Sequence, residues 1–113
     1  MHYQSPRQVS PEEAAEVFHS DRETEIAETL ISTALHISDR QWVEQWLIHF
    51  STHPAPAVRR AAAISVGHLA GIHRQVSPQA VEAVRALLAD GGISGAASDA
   101  LEDVEIFTRK EPG

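Results

Sequence analysis

The sequence repeats itself with a period in the thirties, and this self-similarity covers most of its 113 residues. Apolar residues that begin at Ile26 recur 32 positions later from Val58, and again 35 positions later from Ile93. Within each unit these residues keep the three- and four-residue spacing of a helix. Such a period is typical of stacked helical hairpins, because each hairpin buries its apolar face against its neighbours. The aligned positions are Ile26, Thr29, Leu30, Thr33, Ala34 and Ile37; Val58, Ala61, Ala62, Ser65, Val66 and Leu69; and Ile93, Ala96, Ala97, Ala100, Leu101 and Val104.

Local signals place six helices in three hairpins over residues 10–108. Ser10-Pro11-Glu12-Glu13 and Ser77-Pro78 have the pattern of capped helix starts. His53-Pro54-Ala55-Pro56 ends the third helix, and Asp90-Gly91-Gly92 is a turn before the sixth. The first helices of the second and third hairpins also align, at an offset of 38 that pairs Glu44 with Glu82. We therefore predict an all-α fold, with a non-repetitive bundle as the alternative.

The segment from Val58 to Leu69, Val-Arg-Arg-Ala-Ala-Ala-Ile-Ser-Val-Gly-His-Leu, resembles the second helix of a HEAT repeat. The outer units match less well, since Ala27 and Ser94 stand where Arg59 stands. The resemblance implies a short right-handed α-solenoid of three HEAT-like hairpins. The resemblance covers residues 10–108 as one domain. Residues 1–9 are polar and not periodic and are predicted to form a flexible tail, and residues 109–113 are predicted to form a C-terminal tail.

The third predicted helix carries the heaviest aromatic cluster of the sequence. Trp42, Val43, Trp46, Leu47 and Phe50 recur at helical spacing and form a broad apolar face. We therefore predict that Trp46 and Phe50 are buried at the centre of the stack. A role for the tryptophans in stacking a ligand is the alternative.

The charge of the chain is -7 and is concentrated at its two ends. Residues 1–36 hold seven acidic residues and two arginines, whereas residues 37–90 hold four acidic residues and five arginines. An acidic chain repels phosphate backbones, so we predict no direct binding of nucleic acid. The sequence has no long apolar segment and no signal peptide, which predicts a cytoplasmic protein without a membrane span.

The residues that could carry chemistry do not form a recognisable catalytic pattern. The chain has no cysteine, which excludes disulfides and thiolate chemistry. His49 and His53 are spaced i, i+4, and His36 and His68 occupy equivalent positions of two repeats with Asp103 in the third. We interpret these as surface residues and predict no metal, no cofactor and no enzymatic activity. HEAT-like hydroxylases bind iron through His-Glu pairs, and this chain has no such dipeptide.

Acidic residues mark the last helix as the best candidate for a binding surface. Asp99, Glu102 and Asp103 share one helix face. In HEAT-like folds the second helices line the concave side, so the resemblance implies an exposed strip that also includes Ser32 and Ser98. The predicted partner-binding residues of this strip are Glu28, His36, Arg60, Ile64, His68, Asp99, Glu102 and Asp103. The alternatives are that the acidic residues only solvate the helix and that Ile64 is buried.

These observations favour a non-catalytic module that binds a basic protein, as a monomer or weak homo-oligomer. Small size, acidity and the lack of a catalytic pattern suggest a bacterial immunity protein that neutralises a toxin, because a basic toxin domain complements an acidic inhibitor. A scaffold or regulatory subunit of a larger complex is the first alternative. A HEAT-like enzyme of lyase or hydroxylase type is the second.

Overall fold

A computed structural model describes residues 8–109, and these residues form six α-helices and no strand. The helices are α1 (Pro11–Phe18), α2 (Glu23–His36), α3 (Arg40–Phe50), α4 (Pro56–His73), α5 (Pro78–Ala86) and α6 (Ser94–Thr108). A short 3-10 helix, Leu87–Ala89, follows α5. The predicted all-α fold with six helices is therefore confirmed. The predicted tails lie mostly outside the described residues.

Local sequence determines where most helices begin. Ser10 and the Glu13 side chain form the predicted capping box at the start of α1. The side chains of Asp39 and Ser77 accept backbone hydrogen bonds at the starts of α3 and α5. Pro56 opens α4, where its missing N–H costs no helical hydrogen bond. Helix boundaries therefore follow capping chemistry that can be read before any tertiary contact is known.

The second helices of the hairpins form one layer, with α4 between α2 and α6. Helices α1, α3 and α5 pack against α2, α4 and α6 respectively, so each hairpin is a packed pair. This order of contacts is compatible with the predicted solenoid. No helix within residues 8–109 has both the length and the apolar character needed to cross a membrane.

The repeat positions supply the core. Ile26, Leu30, Val58, Leu69 and Ile93 are all at most 1% exposed. Each of them belongs to the aligned apolar set of its unit, so the period in the sequence does report the buried layer. Burial of each such side chain contributes about 1.5–3 kcal/mol relative to leaving it in water.

The aromatic prediction for α3 is half right. Phe50 is 3% exposed, but Trp46 is only partly buried. Their rings and that of Phe18 pack together, with centroids 4.8 Å apart for Phe18–Trp46 and 5.2 Å for Phe18–Phe50. Trp46 contacts the rings of five residues but remains partly exposed: Phe18, His19, Trp42, His49 and Phe50. It packs against the core and is not placed at its centre.

One buried polar atom offers a stability test. Ser65 is fully buried, and its hydroxyl has no hydrogen-bond partner among residues 8–109. Its repeat equivalent, Thr33, is also fully buried, but the Thr33 hydroxyl donates to the Leu30 carbonyl at 2.8 Å. An unsatisfied buried hydroxyl costs about 1–3 kcal/mol.

We therefore expect Ser65→Ala to stabilise the protein by about 1 kcal/mol, since alanine also has the higher helix propensity. Thr33→Ala is the matched control and is expected to destabilise it by about 1–2 kcal/mol, because it removes a satisfied hydroxyl and a packed methyl group. Urea unfolding of both variants measures these changes. Destabilisation by Ser65→Ala would show that its hydroxyl is satisfied in solution.

Candidate functional site

The candidate site is a groove between α4 and α6, and a close helix contact forms its base. A Cβ atom added to Gly67 would lie 3.4 Å from the Ala100 Cα and 3.1 Å from Oδ2 of Asp103. Further along, a Cβ atom at Gly71 would lie 3.9 Å from the Phe107 ring. Higher residue numbers on α4 therefore face higher numbers on α6, so the two helices run parallel.

The groove has a volume of about 520 Å³ and a mixed lining. Arg60, Ile64 and His68 line it from α4, while Asp99 and Asp103 line it from α6. Small residues of α6 and of the turn before it complete the wall. Their size leaves room for a partner's side chain. These residues are Gly92, Gly95, Ala96 and Ala100.

The two consecutive arginines of α4 have different roles. The Arg59 guanidinium donates to Asp90 at 2.9 Å and to the His53 carbonyl at 2.8 Å, and it also donates to the Pro54 carbonyl. It therefore ties the start of α4 to the loop before it and to the turn before α6. Arg60 is exposed, lines the groove and forms no ion pair within residues 8–109. Arg59, in the Val-Arg pair of the HEAT-like motif, thus anchors the start of α4, and Arg60 places a positive charge in the groove.

The acidic residues of the groove are also free of ion pairs. Within the described part of the chain, no arginine or lysine pairs with Asp99, Glu102 or Asp103. By contrast, Glu105 on the same helix pairs with Arg109 at 3.2 Å. The free carboxylates sit on a helix face where a partner's cation could reach them without first breaking an intramolecular pair.

The groove brings together five of the eight predicted binding residues. Glu102 is exposed on α6 beside the groove but does not line it. Glu28 and His36 are exposed on α2 and lie outside it. The prediction for Ser32 is wrong, because Ser32 is 3% exposed. Helix α2 packs against α1, α3 and α4, and a short side chain on such a helix stays below the surface.

Ile64 lies between the two interpretations that the sequence left open. It is neither buried in the core nor fully exposed, and it lines the groove between Arg60 and His68. A half-buried aliphatic residue with polar neighbours provides an apolar floor beside the charged groups of the groove. This arrangement matches the apolar centre and polar rim of protein interfaces.

The histidines do not assemble a metal site in the described residues. Within residues 8–109, no three His, Asp or Glu side chains converge in a way that could hold a metal ion. His53 uses its Nδ1 to accept a hydrogen bond from the Ala55 backbone at 3.0 Å. His49 packs edge-on against Phe50, with ring centroids 4.9 Å apart. Each of the two rings therefore makes its own local structural contact.

A second groove, of about 700 Å³, lies between α3 and α5. Its wall is mostly aliphatic and includes Ile48, Ala83, Ala86 and Leu87. The sequence did not single out these residues, because alanines at helical spacing are also typical of ordinary core packing. This groove lacks the free acidic residues of the α4–α6 groove, since its Glu82 and Asp90 are both paired with arginine.

Comparison with solved structures finds a chain of similar fold and sequence. The crystal structure of a CDI complex from Cupriavidus taiwanensis LMG 19424 contains a chain that matches with a TM-score of 0.80 and 31% identity. The match covers 96% of this chain and 99% of that chain. This chain belongs to the same family as that chain of the CDI complex.

The match extends over nearly the whole of both chains, so it covers the region of the fold that holds α4 and α6. No protein-family model matches this sequence, and a comparison with curated proteins finds no match either. The HEAT resemblance therefore rests on the Val58–Leu69 segment and on the packing of the second helices. Membership of the HEAT family stays a prediction.

Proposed function

We propose that this protein is the immunity component of a contact-dependent inhibition system and neutralises a toxin by binding it. The whole-chain likeness to a chain of a CDI complex carries this proposal. Such a system needs a toxin and a protein that protects against it. A small acidic chain whose sequence has no catalytic pattern fits the protecting role better than the toxic one. In this proposal it acts in the cytoplasm and performs no catalysis.

The α4–α6 groove is the proposed toxin-binding surface. Within residues 8–109, Asp99, Asp103 and the adjacent Glu102 offer carboxylates without ion pairs, and Ile64 on α4 offers an apolar floor beside them. We propose that a basic surface of the toxin domain approaches these carboxylates. Complementary charge would then speed association and exclude partners of the wrong charge. Arg60 on the opposite wall adds a positive charge that sets the orientation of the partner, and His68 adds a polar side chain beside it.

The test uses the domain encoded at the end of the neighbouring reading frame as the toxin. Cells that express this domain are expected to survive when they also express the wild-type chain. The double variant Asp99→Lys/Asp103→Lys is expected to lose protection and to bind the purified domain at least tenfold more weakly. Wild-type affinity is expected to fall as salt rises, because the contacts are near the surface.

Glu12→Lys/Glu16→Lys is the matched control, since it makes the same charge change at the same i, i+4 spacing on α1. Both variants should stay folded, because Glu12, Glu16 and Asp99 are exposed and Asp103 is partly exposed. The free energy of unfolding is expected to change by about 0.5 kcal/mol or less for each exposed substitution. Loss of protection in the control alone would move the binding surface to the acidic N-terminal hairpin. If the wild-type chain neither protects nor binds the domain, the immunity proposal is wrong, and a scaffold role becomes the leading alternative.

A further inference from the structure

Two large aliphatic side chains are exposed at the C-terminal ends of the helices that form the groove. Ile72 on α4 is 50% exposed, and Ile106 on α6 is 57% exposed. Within residues 8–109, the only other large hydrophobic residue with comparable exposure is Leu88, at 42%, on the 3-10 helix after α5. Exposed apolar residues scattered singly need no explanation, but a pair on adjacent helices suggests a shared surface.

The helix geometry places Ile72 and Ile106 on the side where the groove opens. Each residue turns an α-helix by about 100°. Gly67 on α4 packs against Ala100 on α6. His68 follows Gly67 and Asp99 precedes Ala100, and both of these side chains line the groove.

Further along, a Cβ atom at Gly71, four residues after Gly67, would contact the ring of Phe107, seven residues after Ala100. Seven residues are close to two full turns, so Phe107 has nearly the same orientation on α6 as Ala100. The residue after Gly71 is Ile72, and the residue before Phe107 is Ile106. Because the two helices are parallel, the same rotation carries both isoleucines to the side that His68 and Asp99 occupy. The groove and the isoleucine pair therefore form one continuous surface along α4 and α6.

Resting on the proposed function, we infer that this continuous surface receives a single segment of the toxin with two chemically different anchors. A basic side chain of that segment pairs with Asp99 and Asp103 in the groove. A large aliphatic or aromatic side chain packs across Ile72 and Ile106. Apolar contact beside paired charges gives the interface a water-free part that the acidic groove alone does not have.

The spacing of the two anchors restricts the toxin segment. Asp99 and Ile106 are seven residues apart on α6, which corresponds to about 10 Å along the helix axis. An extended segment spans that distance with about three residues, and a helix spans it with about two turns. Arg74, whose guanidinium lies 5.0 Å from the Phe107 ring centroid, places a positive charge beside the isoleucine pair. The basic anchor is therefore directed toward the acidic groove and away from the isoleucines.

The test compares Ile72→Ser/Ile106→Ser with the control Leu88→Ser, which removes an exposed aliphatic side chain from another part of the surface. The probe is the purified domain encoded by the neighbouring reading frame, and isothermal titration calorimetry measures its affinity for each full-length variant. We expect the double variant to bind at least tenfold more weakly. Its heat-capacity change on binding is expected to be less negative than that of the wild type, because less apolar surface is buried. Leu88→Ser is expected to bind like the wild type. Thermal unfolding of each variant verifies that the fold is retained.

The outcomes separate this inference from the proposed function. If the wild type binds and the folded double variant binds equally well, the isoleucine pair is not part of the interface and the inference is overturned, while the proposed function stands. Size-exclusion chromatography adds a second outcome: a wild-type dimer that the double variant converts to monomers would show that a second copy of this chain covers the pair. Absence of binding by the wild type overturns the proposed function and the inference together.

Discussion

Replacing Phe50 with alanine is expected to lower the free energy of unfolding by about 3–5 kcal/mol, which is a large part of the 5–15 kcal/mol that stabilises a typical domain. Phe50 is 3% exposed, and its ring packs against those of Phe18 and Trp46. The substitution would leave a cavity where the first two hairpins meet, and the surrounding helices can only partly fill it. Urea unfolding monitored by circular dichroism measures the loss.

Trp46→Ala is the comparison that makes this prediction specific. Tryptophan is the larger residue, so a rule based on side-chain size predicts the greater loss for Trp46. Trp46 is only partly buried, so we expect its replacement to cost less than that of Phe50. A larger loss for Trp46→Ala would show that Trp46 is buried at the centre of the stack, as the spacing along α3 first suggested.

Replacing Glu44 with alanine is expected to destabilise the protein by about 3 kcal/mol. The side chain of Glu44 is 6% exposed and accepts hydrogen bonds from the Arg40 guanidinium and from the Ser77 backbone, the latter at 3.0 Å. It therefore links α3 to the residue that caps α5. Removing one partner of a buried ion pair typically costs about 3–5 kcal/mol. The lower value is expected here because Arg40 keeps some contact with solvent.

The repeat supplies the control for this experiment. Glu82 occupies the position in α5 that corresponds to Glu44 in α3, but its side chain is 69% exposed and pairs with Arg85 on the surface. We expect Glu82→Ala to change stability by less than about 0.5 kcal/mol, because exposed pairs contribute little. Equal effects of the two substitutions would contradict the assigned role of Glu44 as a link between hairpins.

Both glutamates also show where prediction from the sequence ends. Their positions correspond in the alignment at an offset of 38, so the repeat by itself gives both glutamates the same place. Tertiary packing separates them. The start of the next hairpin covers Glu44, whose side chain accepts a hydrogen bond from the Ser77 backbone. The buried positions of α3 recur in α5 at an offset of 37 in place of 38, so Glu82 lies one position off the packed face: Val43, Leu47 and Phe50 correspond to Ala80, Val84 and Leu87. The energetic role of an equivalent residue thus depends on whether a neighbour covers it.

The groove was predictable only in part for the same reason. The shared face of Asp99 and Asp103 follows from their i, i+4 spacing, and the alignment of repeats pointed to Arg60, Ile64 and His68. The spacing did not reveal that Ser32 is buried or that Glu28 and His36 lie outside the groove.

Ile72 and Ile106 were missed because they lie outside the aligned core positions. An isoleucine near the end of a helix carries no signal in the sequence that separates exposure from burial. A search for large apolar residues off the core stripe would have found them as candidates, but only the pairing of α4 with α6 places them on one surface.

The sequence alone determined the helices and the buried layer, because capping residues act within one turn and apolar periodicity marks the face that must leave water. The capping box of Ser10 and the repeat positions from Ile26, Val58 and Ile93 are examples. The tertiary structure decided which polar residues are covered, how closely α4 approaches α6, and which side chains surround the groove. These features depend on contacts between residues more than thirty positions apart, such as Gly67 with Ala100, and no local interaction specifies them.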